Sequence, residues 1–409
     1  MQLVEQHCIS KSDPRFAVID AAAFASKNLY NQATYQIRQA YIHEGKYLPY
    51  AEIYHRVKHL ACYQALPRKV SNAILILIDK NWRSFRNALK AWYEEPSRFT
   101  GKPRIPGYKH KEKGRAILIY DMQAIGKKAL KRGMIVPSGL GIEIGTKQKR
   151  ADIDQVRIVP RGSYYVVEVV YRKAIKQADV DPHLVAALDL GVNVLAVATS
   201  TKVGFSPLLI NGRPLKSINQ QYNQQRAHHQ SQLSLQNRFT SRQLDRITTK
   251  RNRRVNAYLH TASRRIIDTL VKEGIGLLVI GKNRYWKQDV EMGKKKNQQF
   301  VQIPHARFID MLTYKAELVG IKVIIREESY TSKASFLDLD PIPTYERALA
   351  GTHQFSGSRA GRWYRSQHGR RVHSDTNGSY NILRKAVPTA FEAGVEGFAV
   401  IPRQLTIFK

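Results

Sequence analysis

The chain is 409 residues long, and 67 Lys and Arg against 32 Asp and Glu give it a formal net charge of +35. Because 43% of its residues are hydrophobic, it can build folded cores, which excludes an intrinsically disordered tail. The basic residues are spread along the chain from Lys11 to Lys409, and a merely soluble surface usually needs much less charge. The composition therefore predicts a multidomain protein that binds a polyanion, with nucleic acid favoured over a membrane.

The two cysteines, Cys8 and Cys62, are too few for a disulfide framework, and they fit a reducing cytoplasm. The first residues lack the charged start and long apolar run of a signal peptide. No stretch approaches the roughly 20 apolar residues that a membrane span needs. We therefore expect a cytoplasmic protein with no membrane partner.

The first half of the chain is interpreted as a helical unit beside a β-rich module. A segment rich in Ala, Tyr and Gln, from Phe16 to Ile42, predicts one helix. Spacings of three and four predict a long amphipathic helix with the apolar stripe Val70, Ile74, Ile78, Trp82, Phe85 and Leu89. Prolines at positions 96, 103 and 106 then break the helical pattern. The short alternating strands that follow predict a small barrel or sandwich.

The order of elements changes near residue 183. Three strands joined by tight turns, LVAALDLG, VNVLAVATS and KVGFSPLLING, predict an antiparallel meander. A charged helical section follows from about Leu215 to Lys272, and the apolar run IGLLVIGKN then predicts a buried parallel strand. A helix around Phe308 to Val319 and a second buried strand, IKVIIREES, complete an order typical of a ribonuclease H-like fold.

Two aspartates are candidates for a catalytic site. Asp189 ends the first strand of the meander, and Asp375 begins a helix in HSDTNGSYNILRK. Ligands of open α/β sheets bind at the carboxyl ends of the strands. Carboxylates that converge in a basic protein favour a divalent cation, Mg²⁺ or Mn²⁺, held against a phosphodiester. The simpler alternatives are a turn residue at Asp189 and a helix cap at Asp375.

Four strings in this order closely resemble the RuvC-like nuclease half of the OrfB/TnpB family: ALDLGVNVLAVAT, NAYLHTASRRIID, ESYTSKASFLD and HSDTNGSYNILRK. Members of that family are encoded by insertion sequences and are relatives of type V CRISPR effectors. The resemblance implies an RNA-guided DNA endonuclease that binds a guide RNA, reads a short motif beside its double-stranded DNA target and cuts at one two-metal RuvC site. It also implies a bacterial, nucleoid-associated protein, and a monomer is favoured.

In terms of the family, the chain would be a multidomain α+β protein that ends in a RuvC-like, ribonuclease H-like α/β nuclease domain. The implied parts are a β-barrel-like wedge module (1–13 and 96–182), a helical recognition lobe (14–95), the first part of the nuclease core (183–330, with a helical insertion at about 213–273), a loop region (331–374), and the last helix and tail (375–409). The resemblance covers residues 183 to about 386 well and the first half more loosely.

The chain departs from the family pattern at the second catalytic acid. Relatives usually carry a glutamate at the end of the strand beside the first, where this chain has Gly281. Glu327 and Glu328 end the next strand, and strands lie only about 4.8 Å apart, so a glutamate from there can reach the metals. Consecutive strand residues face opposite ways, so at most one serves, and Glu328 is preferred. The expected metal ligands are Asp189, Glu328 and Asp375; loss of full activity and another donor are the alternatives.

No zinc is expected, because the chain has no cysteine between Thr331 and Asp375, where many relatives hold zinc with two Cys pairs. Cations and aromatics alternate there instead, and such a mixture can stack bases and neutralise phosphates. The candidate nucleic-acid contacts are Arg359, Arg362, Trp363, Tyr364 and Arg365. A loop whose aromatic residues pack on the nuclease core is a nearly equal alternative.

Three classes of function stay open. The first is the guided nuclease, and the second is a nuclease-deficient relative that binds RNA and DNA, which the missing acid at Gly281 keeps possible. The third is a transposase that breaks and joins element ends, but the sequence shows no tyrosine nucleophile in a histidine-bearing site. In the last of the four strings, Asn377 is expected to hold the local turn or to support the site from behind.

Overall fold

The computed structural model describes residues 1–283, 293–345 and 352–407. It divides into two compact units, Met1–Lys173 and Ala174–Lys409, each with helices and strands, so the chain is a mixed α/β multidomain protein. Parts of the predicted regions 183–330, 331–374 and 375–409 lie outside the described residues, and the domain boundaries stay predictions. Within the described ranges, no helix has both the length and the hydrophobicity required to cross a membrane.

The first unit combines a bundle of helices with short strands. Its elements in chain order are β1 (Gln2–Ser10), α1 (Phe16–His43), α2 (Tyr50–Val57), α3 (Ala61–Gln64), α4 (Arg68–Glu94), β2 (Leu118–Asp121), α5 (Lys127–Lys131), β3 (Met134–Ile135), β4 (Ile144–Gly145), β5 (Ile153–Arg161) and β6 (Tyr164–Arg172). The predicted long amphipathic helix is confirmed as α4, with Val70, Ile74 and Trp82 buried in the core.

Four strands of the first unit form an antiparallel sheet in the order β1-β6-β5-β2. In Met1–Lys173, all of which the structure describes, β1 and β2 do not pair and are the edges of this sheet. The barrel or sandwich expected from the sequence is therefore an open sheet, whose inner face shares one hydrophobic core with the helices. The alternation of apolar and polar residues along a strand does not show whether a sheet closes into a barrel, because an open sheet and a barrel both bury one face.

The second unit contains a larger sheet, a smaller sheet and five helices in its described part. Its elements are β7 (Asp181–Leu190), β8 (Val194–Ser200), β9 (Leu208–Asn211), α6 (Arg213–Ser234), α7 (Arg242–Lys272), β10 (Ile275–Gly281), α8 (Lys294–Gln302), α9 (His305–Glu317), β11 (Lys322–Arg326), β12 (Ser358–Ala360), β13 (Trp363–Arg365), β14 (Arg371–His373), α10 (Ser374–Ala386) and β15 (Arg403–Gln404). β12, β13 and β14 pair as a sheet within residues that were predicted to be a loop.

The larger sheet has the order β11-β10-β7-β8-β9-β15. The predicted meander is confirmed, since β7, β8 and β9 pair antiparallel, and β10 and β11 join in parallel on the other side of β7. The prediction that β11 is buried is wrong. It is the edge strand, and Ile325 is 51% exposed, because an apolar run gives no information on whether a second neighbour covers it.

Alternation along the central strands fixes which face carries the candidate site. In β7, Leu188 belongs to the hydrophobic cluster with α7 and α9, whereas Ala187 belongs to the cluster with α10. Because side chains alternate, Asp189 lies on the α10 face. In β10, Val279 belongs to the α10 cluster as well, so Gly281 also lies on that face. The ends of two neighbouring strands therefore meet under the start of α10.

Lys315 of α9 is buried against α7, although it carries an ionisable group. Its Nζ donates to His260 O at 2.7 Å and to Ser263 Oγ at 2.6 Å. Burial, with a smaller effect from the charge of Arg264, lowers the pKa of Lys315 to about 8, and Asp268 opposes this only in part. The contact between α7 and α9 is therefore more stable when this amine is neutral.

The substitution Lys315→Met is expected to remove a pH dependence of the free energy of unfolding. An unfolded lysine holds its proton to about pH 10.4, whereas folded Lys315 releases it near pH 8. Between these values the unfolded chain binds more protons, so this contribution makes the free energy of unfolding rise with pH. Urea unfolding across this window measures the slope, with the exposed Lys250→Met as control. Equal slopes in wild type and Lys315→Met would show that the buried amine keeps its proton.

Candidate active site

Asp189 lies at the end of β7, directly beneath a glycine of α10. A Cβ atom on Gly378 would lie 2.6 Å from Asp189 Oδ2, closer than nonbonded atoms approach. Ser379, the next residue, donates from Oγ to Ala187 O at 3.0 Å, and its Oγ lies 2.9 Å from Thr199 Oγ1. These contacts hold α10 on β7 and β8, so the carboxylate of Asp189 fits only because position 378 has no side chain.

Glu328 lies beyond β11, and its carboxylate reaches back over β10. A Cβ atom on Gly281 would lie 2.5 Å from Glu328 Oε2, so this carboxylate occupies the space that a side chain at position 281 would need. The backbone N–H of Glu328 donates to Asn283 Oδ1 at 3.0 Å, which fixes the chain beside the end of β10. The glycine at the position of the family's glutamate therefore makes room for an acid from the neighbouring strand.

Glu327 has different partners from its neighbour. Its Oε2 lies 2.5 Å from Lys385 Nζ, and its Oε1 accepts from the backbone N–H of Ser329 at 2.6 Å. Burial alone would raise the pKa of Glu327, but the hydrogen bonds from Lys385 and Ser329 outweigh it and hold the pKa below its usual value. The two consecutive glutamates thus separate, and Glu327 is already compensated by an ion pair.

Asp375 belongs to the first turn of α10 and lines the same cleft as Asp189. Arg359 of β12 reaches into this cleft, where its Nη2 donates to Asp375 Oδ1 at 3.3 Å. Arg362 and His373 also line the cleft. The two aspartates, remote in the sequence, therefore open onto one space that the cations Arg359 and Arg362 also line.

The surroundings of Asp189 and Glu328 disfavour the ionised forms of both carboxyl groups. Burial raises the pKa of Asp189 well above its usual range, the charges of Glu328 and Asp375 raise it further, and Arg359 only partly opposes this. Burial, and then the charge of Glu327, raises the pKa of Glu328 to about 7. In the part of the chain that the structure describes, Glu328 Oε2 is buried and has no hydrogen-bond partner. The arrangement is one that a bound cation would stabilise.

The candidate ligands do not yet form a closed metal site. Among the described residues, no three His, Cys, Asp or Glu side chains lie close enough to ligate one metal ion as they stand. The ion pair between Arg359 and Asp375 is one physical reason, since the guanidinium compensates a carboxylate that a metal would otherwise contact. All candidate donors here are oxygen atoms, which suits Mg²⁺ or Mn²⁺ better than softer metals.

The predicted nucleic-acid contacts separate into exposed and buried residues. Four are exposed, namely Arg359, Arg362, Trp363 and Arg365. Tyr364 is a wrong prediction, because it is 1% exposed and its hydroxyl donates to Lys333 O at 2.6 Å. Side chains alternate along β13, so the middle residue of the strand faces the core and its neighbours do not. Tyr364 therefore packs as a core residue and cannot stack on a base.

Two aspartates cross-link the segment in which relatives carry zinc ligands. Asp338 Oδ2 accepts from Ser335 Oγ at 2.6 Å and from the Gln367 backbone N–H at 3.0 Å. Asp340 Oδ2 accepts from the backbone N–H groups of Ser335 at 2.7 Å and Ser356 at 3.1 Å. These hydrogen bonds join the chain after β11 to the small sheet of β12, β13 and β14.

Asn377 is fully buried and serves the turn beside the site. Its Oδ1 accepts from the Phe336 backbone N–H at 2.9 Å, and its Nδ2 donates to Ala334 O at 2.8 Å. Asn381, one turn later on α10, donates to Thr331 O at 2.9 Å. Both amides fix the chain that follows Glu328. Neither Asn381 nor the role of Gly378 was predicted from the sequence. Gly378 could have been noticed, because glycine inside a helix is normally unfavourable and its presence there suggests a close contact.

Comparisons with known proteins agree with these motifs. Residues 164–287 match the OrfB_IS605 family, described as a probable transposase, and residues 305–382 match the Cas12f1-like TNB domain. These two matches support a TnpB-like family for the chain. The family predicted from the sequence motifs is thus confirmed, and the two matched segments of this TnpB-like chain contain Asp189, Glu328 and Asp375. No curated protein matches the chain.

Solved structures similar to this TnpB-like chain include complexes of small CRISPR effectors. A Cas12f1-sgRNA-target DNA complex is 13% identical, with a TM-score of 0.37 over 93% of this chain and 98% of that one. A CRISPR-Cas12f ternary complex is also 13% identical, with a TM-score of 0.36 over 90% and 81%. The mini-RNA-guided endonuclease CRISPR-Cas_phi3 is 11% identical, with a TM-score of 0.41 over 98% and 94%.

The close approach of Gly378 to Asp189 predicts that Gly378→Ala destabilises the wild-type protein but stabilises a variant that lacks the Asp189 carboxylate. In wild type, Gly378→Ala should lower the free energy of unfolding by about 1–3 kcal/mol, because the added methyl overlaps the carboxylate. In an Asp189→Ala background the overlap is gone, and the same substitution should raise it by up to about 1 kcal/mol, as alanine does in a helix. Urea unfolding of the four proteins measures both values. The same effect in both backgrounds would contradict the proposed contact.

Proposed function

We propose that this TnpB-like chain is an RNA-guided DNA endonuclease that cuts its target at one metal-dependent, RuvC-like site. The main support is the position of the Glu328 carboxylate over Gly281, on the face that also carries Asp189. It supplies an acid at the place where the family's second glutamate is missing. Without this contact, the proposed nuclease site would have only two acids, Asp189 and Asp375.

The order of strands supports a RuvC-like assignment of the second unit. Its sheet joins an antiparallel meander to two parallel strands, with α10 packed across β7 and β8. In the same scheme, α1 to α4 of the first unit form the recognition lobe and the sheet β1-β6-β5-β2 belongs to the wedge. The net charge of +35 supports binding of both guide RNA and target double-stranded DNA.

Asp189, Glu328 and Asp375 would hold the divalent cation, Mg²⁺ or Mn²⁺. The fit rests on an all-oxygen donor set, on the buried Oε2 of Glu328 without a partner among the described residues, and on the raised pKa values of Asp189 and Glu328. A bound cation would activate water for attack on the phosphodiester and stabilise the departing oxygen. The raised pKa values mean that cation binding and loss of protons from these acids are coupled.

The protein's own residues then orient the substrate and the acids. Arg359 and Arg362 line the cleft, and their guanidinium groups can neutralise a phosphodiester that enters beside Asp375. Gly378 and Ser379 fix the position of Asp189, and Lys385 holds Glu327 away from Glu328. Arg359 must give up its contact with Asp375 when the cation binds.

A nuclease-deficient regulator that binds RNA and DNA is the second candidate. The ion pair between Arg359 and Asp375 favours it, because a permanent pair would keep one acid from the cation. The nuclease and the nuclease-deficient regulator would bind the same RNA and DNA, and they differ only in whether the DNA is cut. Cleavage of DNA therefore separates them, whereas binding does not.

RNA that copurifies with the protein is expected to contain one structured species that ends in a variable stretch. The physical reason is that a guide must pair with different targets, while the protein reads a constant shape. Sequencing of the bound RNA after purification in moderate salt is the measurement. A random mixture of cellular RNA would point instead to a general nucleic-acid-binding protein. The recovered species also provides the guide for the cleavage test.

Substitution of any proposed metal ligand should stop Mg²⁺-dependent cleavage of a guide-matched plasmid. Asp189→Ala, Asp375→Ala and Glu328→Gln should each lower the rate by at least about a hundredfold, because each removes an oxygen donor, while RNA binding is unchanged. Glu327→Gln is the matched control, since Glu327 pairs with Lys385, and it should stay within about tenfold of wild type.

A double variant tests the relocation of the acid directly. Glu328→Ala should be inactive, and adding Gly281→Glu should restore part of the cleavage, because the new carboxylate occupies the space that Glu328 leaves once Ile382 Cδ1, which lies 2.5 Å from the new Cβ, rotates aside. Gel analysis of nicked and linear plasmid measures both steps. If Glu328→Ala cleaves as fast as wild type, then the site does not use this acid.

A further inference from the structure

An irregular segment of the first unit is fixed along one face of α1. Residues 100–116, here called the strap, contain no helix or strand. Asn31 donates from Nδ2 to Lys109 O at 2.9 Å and accepts the Lys109 backbone N–H at 2.8 Å. Arg38 donates to Pro106 O at 3.0 Å, and Lys27 donates to Lys111 O at 2.6 Å.

The partners show that the strap runs antiparallel to the helix. Along α1, residue 38 is hydrogen-bonded to residue 106 of the strap, residue 31 to residue 109, and residue 27 to residue 111. The strap ends where the Ala116 backbone N–H donates to Ala23 O at 3.1 Å. Spacings of four and seven residues put positions 23, 27, 31 and 38 on one stripe of α1. An irregular segment is thus held by its backbone, which leaves residues 107–113 exposed.

The strap is strongly basic. Its cations are Lys102, Arg104, Lys109, Lys111, Lys113 and Arg115, against the single acid Glu112. All but Arg115 are exposed, and Arg115 is engaged by Asp20 at 2.6 Å. A row of like charges on a flexible loop would spread apart, whereas the hydrogen bonds to α1 keep this row in place. The fixed repulsion costs stability and implies a polyanionic occupant.

Aromatic rings accompany these cations. Tyr108 is 48% exposed, and the Arg38 guanidinium lies 5.1 Å from its ring centroid. At the end of α4, the Lys102 ammonium lies 5.4 Å from the ring centroids of both Trp92 and Tyr93, and Tyr93 is 63% exposed. Exposed rings beside cations are the combination that stacks unpaired bases while neutralising phosphates.

We propose that the strap, with Tyr93 and Tyr108, is a binding surface for single-stranded segments of RNA. The proposal deepens the proposed function, on which it rests for the identity of the partner. Paired bases present no free faces to an aromatic ring, so the rings select unpaired nucleotides over duplex DNA. RNA is the single-stranded partner that a guided nuclease carries before it meets any target.

The test compares two triple variants that remove the same charge from exposed residues of the first unit. The strap variant is Arg104→Gln, Lys111→Gln and Lys113→Gln; the control variant in α5 is Lys127→Gln, Lys128→Gln and Lys131→Gln. Fluorescence anisotropy measures the affinity of the full chain for a labelled oligouridylate of about 20 nucleotides. Melting temperatures establish that both variants fold.

The strap variant should bind oligouridylate at least about tenfold more weakly, and the slope of log K against log salt should fall by about 2, for three lost phosphate contacts. The control variant should stay within about threefold of wild type. In the wild-type strap, Tyr108→Leu should weaken binding at least about fivefold and Tyr108→Phe should retain it, because stacking needs only the ring. Equal weakening by both triple variants, or equal binding by Tyr108→Leu and Tyr108→Phe, would overturn the proposal.

The source of the strand is tested on the proteins as purified from cells. Wild type and the control variant should carry nucleic acid that RNase A removes, and the strap variant should carry at least about threefold less of it. If the strap variant loses DNase-sensitive nucleic acid instead, the occupant is DNA and the proposal is wrong. Plasmid cleavage by wild type is measured in parallel. Normal strap binding without cleavage would refute the nuclease and leave the strap intact, and the reverse result would refute the strap alone.

Discussion

Mutual repulsion of acidic side chains is the constraint on which the second unit depends. Asp189 and Glu328 are held in poorly hydrated positions where burial and neighbouring negative charge raise both pKa values. Such an arrangement destabilises a fold unless a cation compensates it. The packing around it is correspondingly specific, because glycine at 281 and at 378 is what gives each carboxylate its space.

Much of this arrangement could be predicted from the sequence, because strand alternation and element order are local patterns. These patterns predicted Asp189 at a strand end, Asp375 at a helix start and the antiparallel meander. Glu328 was preferred over Glu327 from the sequence, but the ion pair that separates the two was not predicted, since it depends on Lys385, which lies 58 positions beyond Glu327. Distant partners of this kind decide side-chain directions, and no sequence window contains them.

The wrong predictions have a common physical origin. Each depends on which surfaces the neighbouring elements cover. This applies to the exposure of β11, to the burial of Tyr364 and to the open sheet of the first unit. Composition and periodicity report that one face is apolar but not what packs on it. The segment that contains Asp338 and Asp340 illustrates the same point, since the string ESYTSKASFLD does not show which groups its Ser and Asp residues contact, yet a dense set of hydrogen bonds joins that segment.

If the proposed nuclease site is correct, the position of Glu328 after an edge strand determines how its activity is lost on heating. Among the described strands, β11 pairs only with β10, whereas Asp189 and Asp375 are carried by the central strand β7 and by α10. Edge strands detach at a lower free-energy cost than central ones, in partial openings that leave the remaining core intact. Detachment of β11 would withdraw one acid and leave the two aspartates where they are. Catalytic competence would then be lost reversibly in a protein that still appears folded by its circular dichroism.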